Sequence, residues 1–128
     1  MVKLNTNENP YPPSPKVAEA LQKFELDSLR LYPDPASTDL VNALAERYHV
    51  QADQVYTGVG SDDVLAIAFL TFFNSGKPIL FPDITYSFYD VWAELFQIPY
   101  ERPALDDAFA LRLEDYQCEN GGIVIANP

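Results

Sequence analysis

The sequence predicts an α/β domain built on a largely parallel sheet, and three observations predict it. Short apolar runs of strand type recur in the second half: PILFP at 78–82, IPYERP at 98–103 and IVIA at 123–126. Segments with helical periodicity, 61–74 and 85–97, alternate with them. A chain with 48% hydrophobic and 13% aromatic residues can also bury a sizeable core. Strands separated by whole helices pair in parallel through crossovers rather than through hairpins.

The elements follow in order. Residues 1–13, MVKLNTNENPYPP, hold few core candidates and three prolines, which predicts an extended arm. Ser14 is placed as an N-cap and Pro15 as the first helical residue. Val17, Ala20, Leu21 and Phe24 then form one helical face that ends near Glu25. LYPDPAS at 31–37 turns the chain, and Ser37 is placed to cap a helix with Leu40, Val41, Leu44, Ala45 and Tyr48 on its apolar stripe. QVYTGVG at 54–60 reads as a strand followed by a glycine turn. SDDVLAIAFLTFFN at 61–74 is apolar almost all round, which predicts a helix buried on several sides and ended by Gly76. In the helix at 85–97, Phe88, Val91, Trp92, Leu95 and Phe96 are expected to face inward. FALRLEDYQ at 109–117 is ambiguous, and GGIVIANP at 121–128 is a strand with a polar end. No helix follows that last strand, so the chain is expected to be truncated within its domain.

Composition excludes whole classes of partner. The net charge is −11. A nucleic-acid binder needs a basic footprint against phosphates, and an anionic membrane surface would repel this chain equally. No apolar run approaches the roughly 20 residues that span a bilayer. Cys118 is the single cysteine, so no internal disulfide forms and a reducing, cytoplasmic compartment is expected. Small metabolites are the expected partners.

Ligands of parallel α/β sheets bind beyond the carboxyl ends of the strands. In G-V-G-S-D-D (58–63), Gly58 and Gly60 permit a sharp turn and Ser61 opens a helix. Free N–H groups and the helix dipole there suit a phosphate. The third glycine of a dinucleotide fingerprint is replaced by Asp63, and no Gly-Lys-Ser/Thr follows, so neither common nucleotide motif is present. Taken alone, the turn is equally an ordinary helix cap, and a carboxylate beside a phosphate is repulsive unless it points away. Tyr86, in F-P-D-I-T-Y-S-F-Y (81–89), is either a stacking platform for a planar ring or a packed boundary tyrosine. The crowd of Asn5, Asn7, Glu8 and Asn9 before Pro10 can be a solvated turn. His49, the only histidine, sits at a helix end as a capping or surface residue, and one distant cysteine cannot complete a zinc site with it.

Together and in this order, L-N-T-N-E-N-P (4–10), L-R-L-Y-P-D-P (29–35), T-G-V-G-S-D-D (57–63), F-P-D-I-T-Y-S-F-Y (81–89) and I-V-I-A-N-P (123–128) resemble the amino-terminal third of the histidinol-phosphate aminotransferase family. That family belongs to the fold-type-I enzymes that depend on pyridoxal 5'-phosphate. The resemblance implies a mixed, mostly parallel sheet sandwiched by helices. It divides the chain into an arm and helix on the substrate-entrance side (1–30) and the first part of the large, cofactor-binding domain (31–128). It implies that Gly60, Ser61 and Asp62 hold the cofactor phosphate and that Tyr86 stacks on the pyridine ring. It implies that Tyr32 reaches the cofactor phosphate of a partner in a homodimer, and that Asn7 and Glu8 lie at the substrate entrance. Asn127 would open the family's next cofactor-contacting segment. The implied reaction is transamination between an amino donor, L-histidinol phosphate, and a 2-oxo acid, 2-oxoglutarate.

One departure limits what this chain does alone. Its only lysines are Lys3, Lys16, Lys23 and Lys77, and none stands in the context of the family's Schiff-base lysine. No catalytic residue is therefore assigned, and the isolated 128-residue chain is expected not to transaminate. Two related activities fit the same segments: aromatic-amino-acid transamination and threonine-phosphate decarboxylation. A non-catalytic phosphate-binding α/β module is the reading from a different class.

Overall fold

A computed structural model describes residues 8–127 of the chain. Helix α1 spans Pro15–Gln22. The Ser14 hydroxyl accepts the Lys16 N–H at 3.4 Å and Pro15 takes the first helical position, as the sequence predicts. The helix ends at Gln22, short of Glu25, and a 3-10 turn follows over Leu26–Arg30. Neither element contains a buried residue, so Val17, Leu21 and Phe24 lie exposed.

Helix α2 spans Thr38–Tyr48, but Ser37 does not cap it through its side chain. Ser37 has φ 48° and ψ 44°, a left-handed conformation. The cap is Asp34, whose carboxylate accepts the N–H of Ala36 at 3.0 Å and of Thr38 at 2.7 Å. Pro33 and Pro35 hold the backbone around Asp34 so that its short side chain reaches forward over the turn. His49 ends the helix at φ 56°, its N–H directed to the Ala45 and Glu46 carbonyls. Of the predicted apolar stripe only Ala45 is buried.

Helix α3 spans Ser61–Phe72, and strand β1 spans Ile79–Leu80. Helix α4 spans Tyr89–Leu95, strand β2 Tyr100–Glu101 and strand β3 Gly122–Ile123. The strands lie in the order β2-β1-β3, and both pairings are parallel. Ile79 lies opposite Tyr100 on one side and Gly122 on the other. The hydrogen bonds continue beyond the short strands, from Ile79 N–H to Pro99 O (2.9 Å) through Asp83 N–H to Pro103 O (3.1 Å), and on the other side to Val124 N–H and Leu80 O (2.9 Å). These elements establish the α/β class; they do not show a sheet sandwiched on both faces. None of the helices among the described residues is long and apolar enough to cross a membrane.

Ile79 and Phe81, two residues apart on one face of the central strand, meet Phe69 of α3 and Tyr89, Trp92 and Ala93 of α4 in the main core. Ile98, at the end of the crossover from α4 to β2, closes it. The rings interlock: Phe69 is 5.4 Å from Phe73 edge-on and 5.8 Å from Tyr89 in a stacked arrangement.

Several expectations are corrected. Residues 54–60 form no strand; a 3-10 turn over Ala52–Gln54 leads into extended chain that pairs with none of the three strands. A strand-like composition makes a strand only where a neighbouring edge accepts its hydrogen bonds. Helix α3 buries only Phe69, leaving Leu70 and Phe72 exposed. It ends at Phe72, and Gly76 (φ 80°) belongs to the turn into β1. In α4 the buried residues are Tyr89, Trp92 and Ala93, while Phe88, Val91 and Leu95 are exposed and Phe96 is partly buried. The inward face is the one that meets Phe69 of α3 and Ile79 and Phe81 of β1, which selects Tyr89, Trp92 and Ala93. Residues 113–116, of ambiguous period, form a 3-10 turn.

Candidate functional site

The segments leaving β1, β2 and β3 and the start of α3 surround an open cleft of about 1050 Å³. It lies beyond the carboxyl ends of the three strands, where parallel α/β sheets bind their ligands. Its polar lining is Ser61, Thr85, Tyr86, Ser87 and Asn127. The lining also includes the apolar residues Leu65, Pro82, Ile84, Leu105, Phe109 and Ile125. Such a lining suits a planar organic ligand carrying an anionic group.

The glycine turn places Ser61 at the start of α3. Gly60 has φ 92° and ψ 170°, a conformation closed to residues with a Cβ, and it directs the chain into α3. Gly58 answers a different demand: a Cβ there would lie 2.5 Å from Asp63 Oδ2 and 2.9 Å from Val64 Cγ2. That close approach lets the Asp63 carboxylate accept the Val59 N–H at 3.1 Å. The first bond back along the helix is Val64 N–H to Gly60 O at 3.3 Å, so the N–H groups of Ser61, Asp62 and Asp63 have no intrahelical acceptor. Of the three residues expected at a phosphate, Ser61 lines the cleft, while Gly60 and Asp62 adjoin Ser61 in the chain without lining the cleft.

The two carboxylates at the helix start are turned to partners of their own. Asp63 bonds the Val59 N–H, and Asp62 Oδ1 accepts the Tyr86 hydroxyl at 2.8 Å. The donor set therefore fits a phosphate, because neither acid needs the helix N–H groups. Tyr86 is held further by aromatic neighbours. Its ring stacks on Phe88 (5.9 Å, 25°), meets Tyr89 edge-on (5.7 Å, 74°) and leans on Trp92 (6.1 Å, 41°). The Asp62 hydrogen bond, with some desolvation and the Asp62 charge, raises the Tyr86 hydroxyl above its ordinary pKa.

The other expected site residues lie elsewhere. Tyr32 follows the 3-10 turn after α1, is fully exposed and does not line the cleft. Glu8 is exposed and also outside the cleft lining. Asn7 and Lys3 lie outside the described residues. Lys16, Lys23 and Lys77 do not line the cleft, and Lys77 pairs with Glu119 at 2.7 Å.

Two features of the site escaped the sequence. Asp83 ties the loop bearing Tyr86 to the loop after β2: its carboxylate accepts the N–H of Ile84 (2.9 Å) and of Leu105 (3.0 Å), and its carbonyl accepts the Arg102 guanidinium. A lone aspartate after proline signals a turn but does not name a partner so far along the chain. Phe109 reaches the cleft from a left-handed backbone (φ 60°) inside a turn closed by Asp106, which accepts the N–H groups of Ala108 and Ala110 at 2.8 Å each. The Asp-x-Ala-x-Ala spacing is its only sequence signal.

Comparison with known proteins adds the remaining finding. The family model for aminotransferase class I and II matches residues 1–128. The chain is 56% identical over 128 residues to the histidinol-phosphate aminotransferase of Lactococcus lactis subsp. cremoris, covering 100% of this chain and 36% of that protein. It is 53% identical to the protein of the same name from Chromohalobacter salexigens, again over 100% of this chain and 36% of the relative. For the Pseudomonas putida protein of that name the identity is 56%, covering 100% of this chain and 37% of the relative. The chain thus spans little more than a third of the length of these curated relatives.

Proposed function

The chain belongs to the aminotransferase class I and II family, and from that premise we propose that it is part of a pyridoxal 5'-phosphate-dependent enzyme that moves an amino group between L-histidinol phosphate and 2-oxoglutarate. One observation carries the reading: identity of 50–56% to histidinol-phosphate aminotransferases runs through the whole chain, including the segments that form the cleft. In this proposal residues 1–30 form the entrance-side arm and helix, and 31–128 the first part of a cofactor-binding domain whose sheet is covered by helices on both faces. The enzyme works as a cytoplasmic homodimer.

Each residue has a task its chemistry suits. Gly60 gives the backbone its turn, and the N–H groups of Ser61 and Asp62, with the Ser61 hydroxyl, bind the cofactor phosphate at the positive end of α3. Tyr86 would present a ring face to the pyridine and orient it. Phe88 stacks on the Tyr86 ring, and Tyr86 itself lines the cleft that the ligand would enter. When bound, the cofactor supplies an electron sink for the carbon that loses its proton. Tyr32, exposed and away from its own cleft, donates its hydroxyl to the phosphate in the partner's site. Asn7 and Glu8 contact substrate at the entrance. The apolar lining residues exclude water from the reacting centre.

The native gene product carrying this sequence should form glutamate from L-histidinol phosphate and 2-oxoglutarate in the presence of pyridoxal phosphate. No turnover with histidinol phosphate, but turnover with an aromatic amino acid, would transfer the assignment to the aromatic aminotransferases. Tyr86→Ala removes the stacking platform and should weaken cofactor binding by about 10-fold or more, a stacking contribution of roughly 1.5 kcal/mol. Cofactor titration followed by absorbance checks it, and undiminished affinity refutes the stacking role.

A further inference from the structure

We propose that Asp62 is a positioning residue for Tyr86: by accepting the hydroxyl, its carboxylate holds the tip of the aromatic side chain and is at the same time engaged there rather than on the helix N–H groups. The inference deepens the cofactor-site reading and rests on it.

The geometry has two parts. Phe88, Tyr89 and Trp92 surround the Tyr86 ring on the side of α4 and fix where it sits. Ring contacts are broad in direction, however, and they act on the ring body rather than on its tip. The tip is held from a different element, because Asp62 lies in the first turn of α3, 24 residues earlier in the chain, and its Oδ1 is 2.8 Å from the Tyr86 oxygen. A hydrogen bond between a phenol and an ionised carboxylate is among the stronger and more directional kinds. Together the two sets of contacts hold the ring at both ends.

The second part is electrostatic. An acidic side chain in the first turn of a helix is attracted to the free N–H groups there, the same groups an anionic ligand would use. With Asp62 engaged by Tyr86, and Asp63 by the Val59 N–H, those donors stay available. One hydrogen bond therefore serves the ring and the anion cradle together. The raised pKa of the Tyr86 hydroxyl agrees with this pairing, since ionising the phenol would set two negative charges side by side.

The test compares the native gene product carrying this sequence with its Asp62→Asn, Asp62→Ala, Tyr86→Phe and Asp62→Ala/Tyr86→Phe variants. The first readout needs no cofactor: alkaline titration of tyrosinate absorbance, with the Tyr86 contribution isolated by subtracting Tyr86→Phe from its parent. Tyr86 is expected to ionise above the ordinary tyrosine range in wild type, near that range in Asp62→Ala, and between the two in Asp62→Asn, whose amide oxygen still accepts but carries no charge. A Tyr86 titration that Asp62→Ala leaves unmoved overturns the proposal. If Asp62→Ala does not fold, the nearly isosteric Asp62→Asn decides by the same criterion. The second readout is pyridoxal phosphate affinity. Asp62→Ala and Tyr86→Phe are each expected to weaken it by about 3- to 10-fold, and the double variant by no more than the larger single loss, because both remove the same bond. Fully additive losses overturn the coupling. If wild type binds no pyridoxal phosphate while the titrations remain coupled, the link between Asp62 and Tyr86 stands and the cofactor reading fails.

Discussion

At the scale of single residues, aspartates organise much of this chain, each in a different way. Asp34 caps α2, Asp63 closes the glycine turn, Asp83 ties two loops together and Asp62 bonds the site tyrosine. Asp34 shows how such a role depends on pH. The hydroxyl and N–H of Thr38 and the N–H of Ala36 hold its carboxyl below the ordinary value. A carboxyl whose folded pKa is depressed contributes stability above its unfolded pKa and loses that contribution as pH falls through the folded one, here below about pH 4. Amide-exchange protection at Ala36 and Thr38 should therefore fall in that window, and Asp34→Ala should show the same loss at neutral pH. Equal protection in variant and wild type would assign the cap elsewhere. The prolines and the aspartate of this turn were legible as a turn. That Asp34 rather than Ser37 makes the cap was not, because a left-handed backbone at Ser37 disables its side chain and no local pattern announces it.

At the scale of elements, the core depends on one meeting of α3, α4 and β1. Phe69 is fully buried and touches Phe73, Tyr89 and Trp92 through its ring. Phe69→Ala should cost about 3–5 kcal/mol, through lost burial and the cavity left among rings that cannot all collapse into it. Urea unfolding of the variant checks this, and a loss below about 1 kcal/mol would show that the site relaxes fully. Existence and order of α3, β1, α4, β2 and β3 followed from periodicity. Their inward faces did not: Val91 and Leu95 satisfy the apolar period of α4 yet stand exposed, while Tyr89 and Ala93 are buried. Once several apolar residues surround a short helix, the period alone cannot choose between faces, and packing against Phe69, Ile79 and Phe81 makes the choice.

At the scale of the whole molecule, the cleft gathers Ser61, Tyr86 and Asn127 but, among the described residues, no amine to react. None of the described lysines lines it; Lys77 is engaged with Glu119. The isolated 128-residue chain, mixed with pyridoxal phosphate, L-histidinol phosphate and 2-oxoglutarate, should form no glutamate above the background of the cofactor alone. Measurable enzymatic turnover would require a reactive group that the cleft lining does not contain. The acidity of the chain acquires a local meaning here too: although the net charge is −11, the two acids in the first turn of α3 are hydrogen-bonded to Tyr86 and to the Val59 N–H. An overall charge disfavours polyanionic partners, whereas a bound phosphate responds to the donors and dipoles within a few ångströms.

By itself the sequence determined the α/β class, the order of helices and strands, the glycine turn and the family, because each is encoded within a few neighbouring residues or in the order of short motifs. Only the tertiary structure decided which acid faces which donor, which side of each helix is buried, that residues 54–60 remain unpaired, and that Phe109 and Leu105 wall a cleft opened by Ser61 and Tyr86. Those outcomes depend on distant segments meeting. The bond from Tyr86 to Asp62 crosses 24 residues of chain, and its existence follows from how α3 and α4 pack against the same strand, not from any pattern either segment carries alone.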